Sequence, residues 1–185
     1  MKEYLAYLAR VFRFDFSVYN DLPRRPFLAV FLNLFLAGLI YGGSSLYFNL
    51  GQMREIFTDA ASINIAGFMI VLSGIALVFL AQAGSSLFIW TFCRGVGGNT
   101  SLINYYVGTG MAVPVFWIAL PFFAALGADF GGSLFNSLAV VVTVAAAVSL
   151  VASIKEASGL TAGRLFAALL LTLIFVGSFL YLWLV

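Results

Sequence analysis

Residues 63–92 read INIAGFMIVLSGIALVFLAQAGSSLFIWTF. No charged side chain interrupts the run, and its apolar residues fall on every side of a helix. A helix that is apolar all round is buried, either in protein or in lipid. About 20 apolar residues suffice to cross roughly 30 Å of hydrocarbon. At 1.5 Å per residue this run reaches about 45 Å, so it must tilt, protrude or break. If the run breaks, Gln82-Ala83-Gly84-Ser85-Ser86 is the place.

Working outward, four more runs have the same character: residues 27–48, 102–126, 134–154 and 165–185. Strands of a membrane barrel would alternate apolar and polar over about 10 residues. These runs do not alternate. The sequence therefore predicts an all-α polytopic membrane protein, a bundle of five transmembrane helices. Turns are expected at Asn49-Leu50-Gly51-Gln52, Gly95-Val96-Gly97-Gly98-Asn99, Gly127-Ala128-Asp129-Phe130-Gly131-Gly132 and Ala157-Ser158-Gly159.

Composition excludes the other classes. Of 185 residues, 63% are hydrophobic and 9% charged, with a mean hydropathy of +1.09. Soluble domains average about 45–50% and about 25%. Nine Lys+Arg, seven Asp+Glu and no histidine cannot cover a water-facing surface of this size. The chain has too much to bury to be disordered. Its net charge of +2 is too weak and scattered for a nucleic-acid partner. The single Cys93 excludes an intrachain disulfide and a cysteine zinc cluster.

The charges predict orientation. Lys2, Arg10, Arg13, Arg24 and Arg25 precede the first run, Arg94 follows the second, and Lys155 and Arg164 follow the fourth. Only Arg54 falls in a loop on the other side. The positive-inside bias then places the N-terminus in the cytoplasm and the C-terminus outside. No cleavable leader is expected, because the first run is too long for a signal-peptide core.

Residues 1–25 form a separate unit before the membrane domain of 26–185. Over residues 2–14, Tyr4, Leu5, Tyr7, Leu8, Val11, Phe12 and Phe14 share one broad helical face, and Lys2, Glu3, Ala6, Ala9, Arg10 and Arg13 take the other. This predicts a short amphipathic helix lying in the membrane interface, with docking on the bundle as the competing arrangement. Pro23 and Pro26 separate it from the first span.

No span carries a charged residue near its middle. Intramembrane charges usually mark function, so their absence removes the usual proton relays. With no histidine there is neither a His/carboxylate metal site nor a Ser-His-Asp triad. No enzyme activity, cofactor or metal is expected. The neutral polar residues, Asn33 among them, are expected mainly to join helices. One constellation stands out as a candidate polar cleft. Gln82, Ser85 and Ser86 share a face of the over-long span, and Asn104, Tyr105 and Thr109 lie on the third. Gly38 with Gly42, and Ala139 with Thr143 and Ala147, are rows of small residues that permit close helix packing. Pro114 and Pro121 are expected to bend or break the third span between Gly108 and Pro121, with Thr109 satisfying a freed carbonyl. Trp90, Trp117 and Trp183 include two near span ends, where indole rings anchor at the interface.

Two stretches look familiar in order as well as composition. Phe88 to Phe123 reads FIWTFCRGVGGNTSLINYYVGTGMAVPVFWIALPFF, and Ser153 to Val185 reads SIKEASGLTAGRLFAALLLTLIFVGSFLYLWLV. Both resemble the Yip domain family, the Ypt/Rab-interacting membrane proteins, in its small bacterial inner-membrane branch. Asp21-Leu22-Pro23 and Pro26 match part of the eukaryotic signature before the first span. The resemblance implies five spans, a cytoplasmic N-terminus, no catalytic activity and no cofactor. It implies a scaffold or membrane-organising role. The competing expectation is translocation of a lipid or small solute. Expected partners are the lipid bilayer and no nucleic acid. A bound lipid, a protein partner and a second copy of the chain all stay open.

Overall fold

A computed structural model describes residues 2–128 and 130–184, the side chains of 179, 180 and 182–184 apart. The order is α1 (Lys2–Phe12), a 3-10 turn (Phe16–Tyr19), α2 (Pro26–Ile56), α3 (Ala60–Gly95), α4 (Leu102–Gly127), α5 (Ser133–Ser158) and α6 (Ala162–Leu184). Among the described residues there is no strand. Four helices, α2 to α5, are long and apolar enough to cross a membrane. Their outward faces carry bulky apolar side chains: Phe68 is 66%, Leu80 73% and Val140 62% exposed. Water would not tolerate such a surface over this area. It is the surface of a multi-pass membrane protein.

The caps follow the sequence. Pro26 opens α2 at a position where a missing N–H costs nothing. The Asp59 carboxylate accepts from the Ser62 amide at 2.8 Å and starts α3. Ser101 starts α4 in the same way. Gly159, at φ +62°, ends α5 in the left-handed conformation that glycine adopts freely.

One expected turn is absent, and two helices that could have broken are continuous. Asn49-Leu50-Gly51-Gln52 lies inside α2, which runs on to Ile56. There the Asn49 amide donates to the Ser45 carbonyl one turn back, at 2.8 Å. Helix α3 likewise continues through Gln82–Ser86, because those polar groups bond along and between helices. Helix α4 also runs unbroken through Pro114 and Pro121. The turn at Gly127–Gly132 does separate α4 from α5, and Asp129 within it lies outside the described residues.

Helix α4 is central and packs on α1, α2, α3 and α5; α6 lies mainly against α3. Small residues make these approaches close. A Cβ on Gly42 would lie 2.8 Å from the Val71 Cα, and one on Gly74 only 2.6 Å from the Gly42 Cα. The Gly38/Gly42 row therefore packs within the chain, onto α3. On α5 the buried stripe is Ala139, Ala146, Ser149 and Ser153, whereas Ala147 faces outward. Thr143 donates back to the Ala139 carbonyl of its own helix at 2.7 Å. The row expected at Ala139, Thr143 and Ala147 is thus one helix face away from the packed one.

Helix α1 turns its aromatic face onto the bundle. Tyr7 and Val11 are buried, with Tyr4 and Leu8 packed beside them. Of the broad apolar face, Tyr4, Tyr7, Leu8 and Val11 meet the bundle, whereas Leu5, Phe12 and Phe14 stay exposed, since the same apolar stripe satisfies either surface. Phe14, at φ 57°, reverses the chain after the helix.

Candidate functional site

Two hydrogen-bonded clusters gather many of the polar groups inside the bundle. The first is centred on Asn33, which has no exposed surface. Pro114 has no N–H, so the Gly110 carbonyl one turn earlier has lost its helical donor. The Asn33 amide fills that place at 3.1 Å. The Asn33 side-chain oxygen accepts from the Tyr4 hydroxyl at 2.6 Å. Its backbone carbonyl accepts from the Trp117 indole at 3.1 Å. The Tyr7 hydroxyl donates to the Met111 carbonyl, next along α4 from Gly110. Burial pushes the Tyr4 and Tyr7 hydroxyls above their ordinary pKa, so both stay protonated donors. The helix expected to supply its own compensation through Thr109 is instead served by α1 and α2.

The second cluster joins α3 to α4. The Gln82 amide donates to Thr109 Oγ1 at 2.7 Å and to the Tyr106 carbonyl at 3.1 Å. Thr109 donates to the Tyr105 carbonyl at 2.7 Å. Ser86 Oγ lies 2.7 Å from the Gln82 carbonyl and 3.0 Å from Thr109 Oγ1. Gln82, Ser86 and Thr109 are all buried. Ser85 is exposed and bonds back to the Gln82 carbonyl at 3.2 Å.

The candidate cleft therefore divides. Gln82, Ser85 and Thr109 border one end of an open groove of about 470 Å³, whose walls include Leu77, Val113 and Leu120. Ser86 lies beneath. Asn104 is exposed and lines a different cavity of about 340 Å³, with Ser153 and Glu156. Tyr105 points elsewhere: it is buried with Cys93, Ile154 and Leu165, and its hydroxyl has no hydrogen-bond partner.

Asn33 joins helices as expected of the neutral polar residues, but its partners escape a sequence reading because a lone asparagine in an apolar run has no periodicity. Its signal is Pro114, which announces a carbonyl in need of a donor without saying who supplies it. Tyr19 and Ser149, 2.6 Å apart, and Ser153 on the Gly108 carbonyl at 2.5 Å, escape for the same reason. Trp90 donates to the Thr100 carbonyl at 3.1 Å, and the Trp183 side chain lies outside the described residues.

Chemically, these clusters offer amide and hydroxyl hydrogen bonds and no ionisable carrier. Among the described residues, no group of three His, Cys, Asp or Glu side chains is gathered as a metal would need. No family model, curated protein or solved structure matches the chain.

Proposed function

We propose that the chain is a non-enzymatic scaffold or membrane-organising factor of the Yip kind, in a cell inner membrane, with a cytoplasmic N-terminus and an external C-terminus. The observation that carries this reading is that both polar clusters bond one helix to the next and that, among the described residues, neither contains a charged side chain. Interhelical bonds of this type are worth about 0.6 kcal/mol on average and serve packing. The basic bias of the loops supports the orientation. Helix α6, with 23 residues and about 35 Å of length, is the fifth span. Helix α1 meets Asn33 and Met111, seven and nine residues beyond the first residues of α2 and α4. That is roughly 10 Å from the helix starts, an interfacial depth.

A second reading, lipid translocation, is favoured by the groove beside Gln82. Reconstitution in liposomes separates the two. A scaffold leaves lipid scrambling and solute leak at the level of protein-free vesicles. Scrambling above that level, abolished by Ser85→Trp in the groove, would establish translocation instead.

A further inference from the structure

We infer that the cavity between α1 and the start of α2 binds the headgroup of an anionic phospholipid, through Lys2, Arg24 and Arg25 above an apolar wall of Leu28 and Leu32. The cavity has a volume of about 770 Å³. Its rim is Lys2 and Glu3 from α1 and Arg24 and Arg25 from the linker. Three cations face one anion. Glu3 does not neutralise its neighbour effectively: it lies 3.7 Å from Arg24, and the two side chains are 62% and 89% exposed. Pairs this exposed are worth little. Among the described residues, Lys2 and Arg25 have no ion-pair partner.

Two features favour an anion there. Arg25 is the N-cap of α2 and makes no side-chain capping bond. The first amides of α2 beyond Pro26 therefore stay free, at the positive end of the helix. One further feature selects a lipid over a free anion. Leu28 and Leu32 are one turn apart on the same face of α2, and exposed Phe35 and Leu36 continue that face downward. A phosphate held at the rim would place an acyl chain along this stripe. Basic pockets at the cytoplasmic ends of spans recognise anionic headgroups in this way. The site is independent of the scaffold reading, since it needs only the rim and the stripe.

The test uses the full chain in nanodiscs of phosphatidylcholine mixed with phosphatidylglycerol. After transfer to detergent, the retained lipid is counted by native mass spectrometry. Phosphatidylglycerol should be retained selectively. Arg24→Gln and Arg25→Gln should each lower that preference about fivefold. Arg13→Gln removes a charge from α1's neighbourhood outside the cavity and should leave the preference unchanged. Excess inorganic phosphate should not displace the lipid. Equal retention of both lipids overturns the proposal. An Arg13→Gln effect equal to that of Arg25→Gln does so too, by reducing the site to diffuse surface attraction. Full displacement by phosphate would make it a free-anion site. All the substituted side chains are solvent-facing, and unchanged thermal unfolding of each variant shows that binding, not folding, is being read.

Discussion

Asn33 on α2 donates to the Gly110 carbonyl on α4 at 3.1 Å, and that carbonyl is the acceptor Pro114 leaves without a donor. The proline and the asparagine therefore form one device, spread over two helices. Tyr4 locks it from the third side by donating to the same asparagine. The N-terminal helix is thereby tied to the bundle by buried hydrogen bonds as well as by its apolar face.

Asn33→Ala should destabilise the protein by about 2 kcal/mol, the cost of leaving buried partners unsatisfied. Pro114→Ala restores a backbone donor to Gly110. In that background, Asn33→Ala should cost about 1 kcal/mol less. Denaturant unfolding in micelles gives the four stabilities. Additive effects would show that the two residues are not coupled.

The α2–α3 contact is as close as glycine allows. Gly42→Leu must push α3 away, because Val71 backbone atoms lie 2.8 and 2.9 Å from the new Cβ. A loss of about 1–3 kcal/mol follows from overpacking. Gly43 is next in sequence, yet a Cβ there meets nothing within 4 Å. Gly43→Ala should be neutral or stabilise by about 0.5–1 kcal/mol through helix propensity. Equal effects at the two positions would mean that α2 and α3 pack differently.

Gln82 tests the groove. Gln82→Leu removes one donor, but Thr109 keeps its bond to Tyr105 and Ser86 keeps its bond to the residue-82 carbonyl. The expected loss of stability is about 0.6 kcal/mol, at most about 1.7, with no change in membrane permeability. A change in permeability without a change in stability would move Gln82 from packing to transport.

How much of this was legible in the sequence depends on the range of the contact. Helix existence followed from local hydropathy, and α4 and α5 start and stop within a few residues of expectation. Helix α2 runs eight residues past its expected end because Asn49 bonds within the helix, which turn-forming composition does not reveal. The aromatic face of α1 was visible, but its target was not, since lipid and bundle select the same stripe. The candidate cleft mixed residues that share a helix end with residues that share a site. Asn104 turns about 100° away from Tyr105 around the helix, and Thr109, one turn beyond Tyr105 on nearly the same face, meets Gln82 at a different height along α3. Which helix sits opposite each face is set by pairings scores of residues apart.

The segment after α1 should loosen in acid. Asp15 accepts from the Ser17 amide and hydroxyl and pairs with Arg10 at 2.8 Å. The Ser17 hydrogen bonds, and then Arg10, hold its carboxyl below the ordinary 3.8. A lowered folded-state value stabilises above the ordinary one and is lost as pH falls through the lowered one. Protection of the amides over the 3-10 turn, taken relative to the intrinsic exchange rate at each pH, should therefore fall on acidification below the ordinary carboxylate value, and Asp15→Asn should remove most of that fall. Protection that stays constant or rises on acidification would contradict the sign.

The central claim is that the chain crosses the membrane five times with its basic loops in the cytoplasm. Cys93, the one native cysteine, has no exposed surface and gives little background. A cysteine added after Val185 should react with a membrane-impermeant maleimide on intact cells. One introduced by Ala9→Cys, on the exposed face of α1, should react only after permeabilisation. Reaction of both from the same side would contradict the account, because α6 would then not cross.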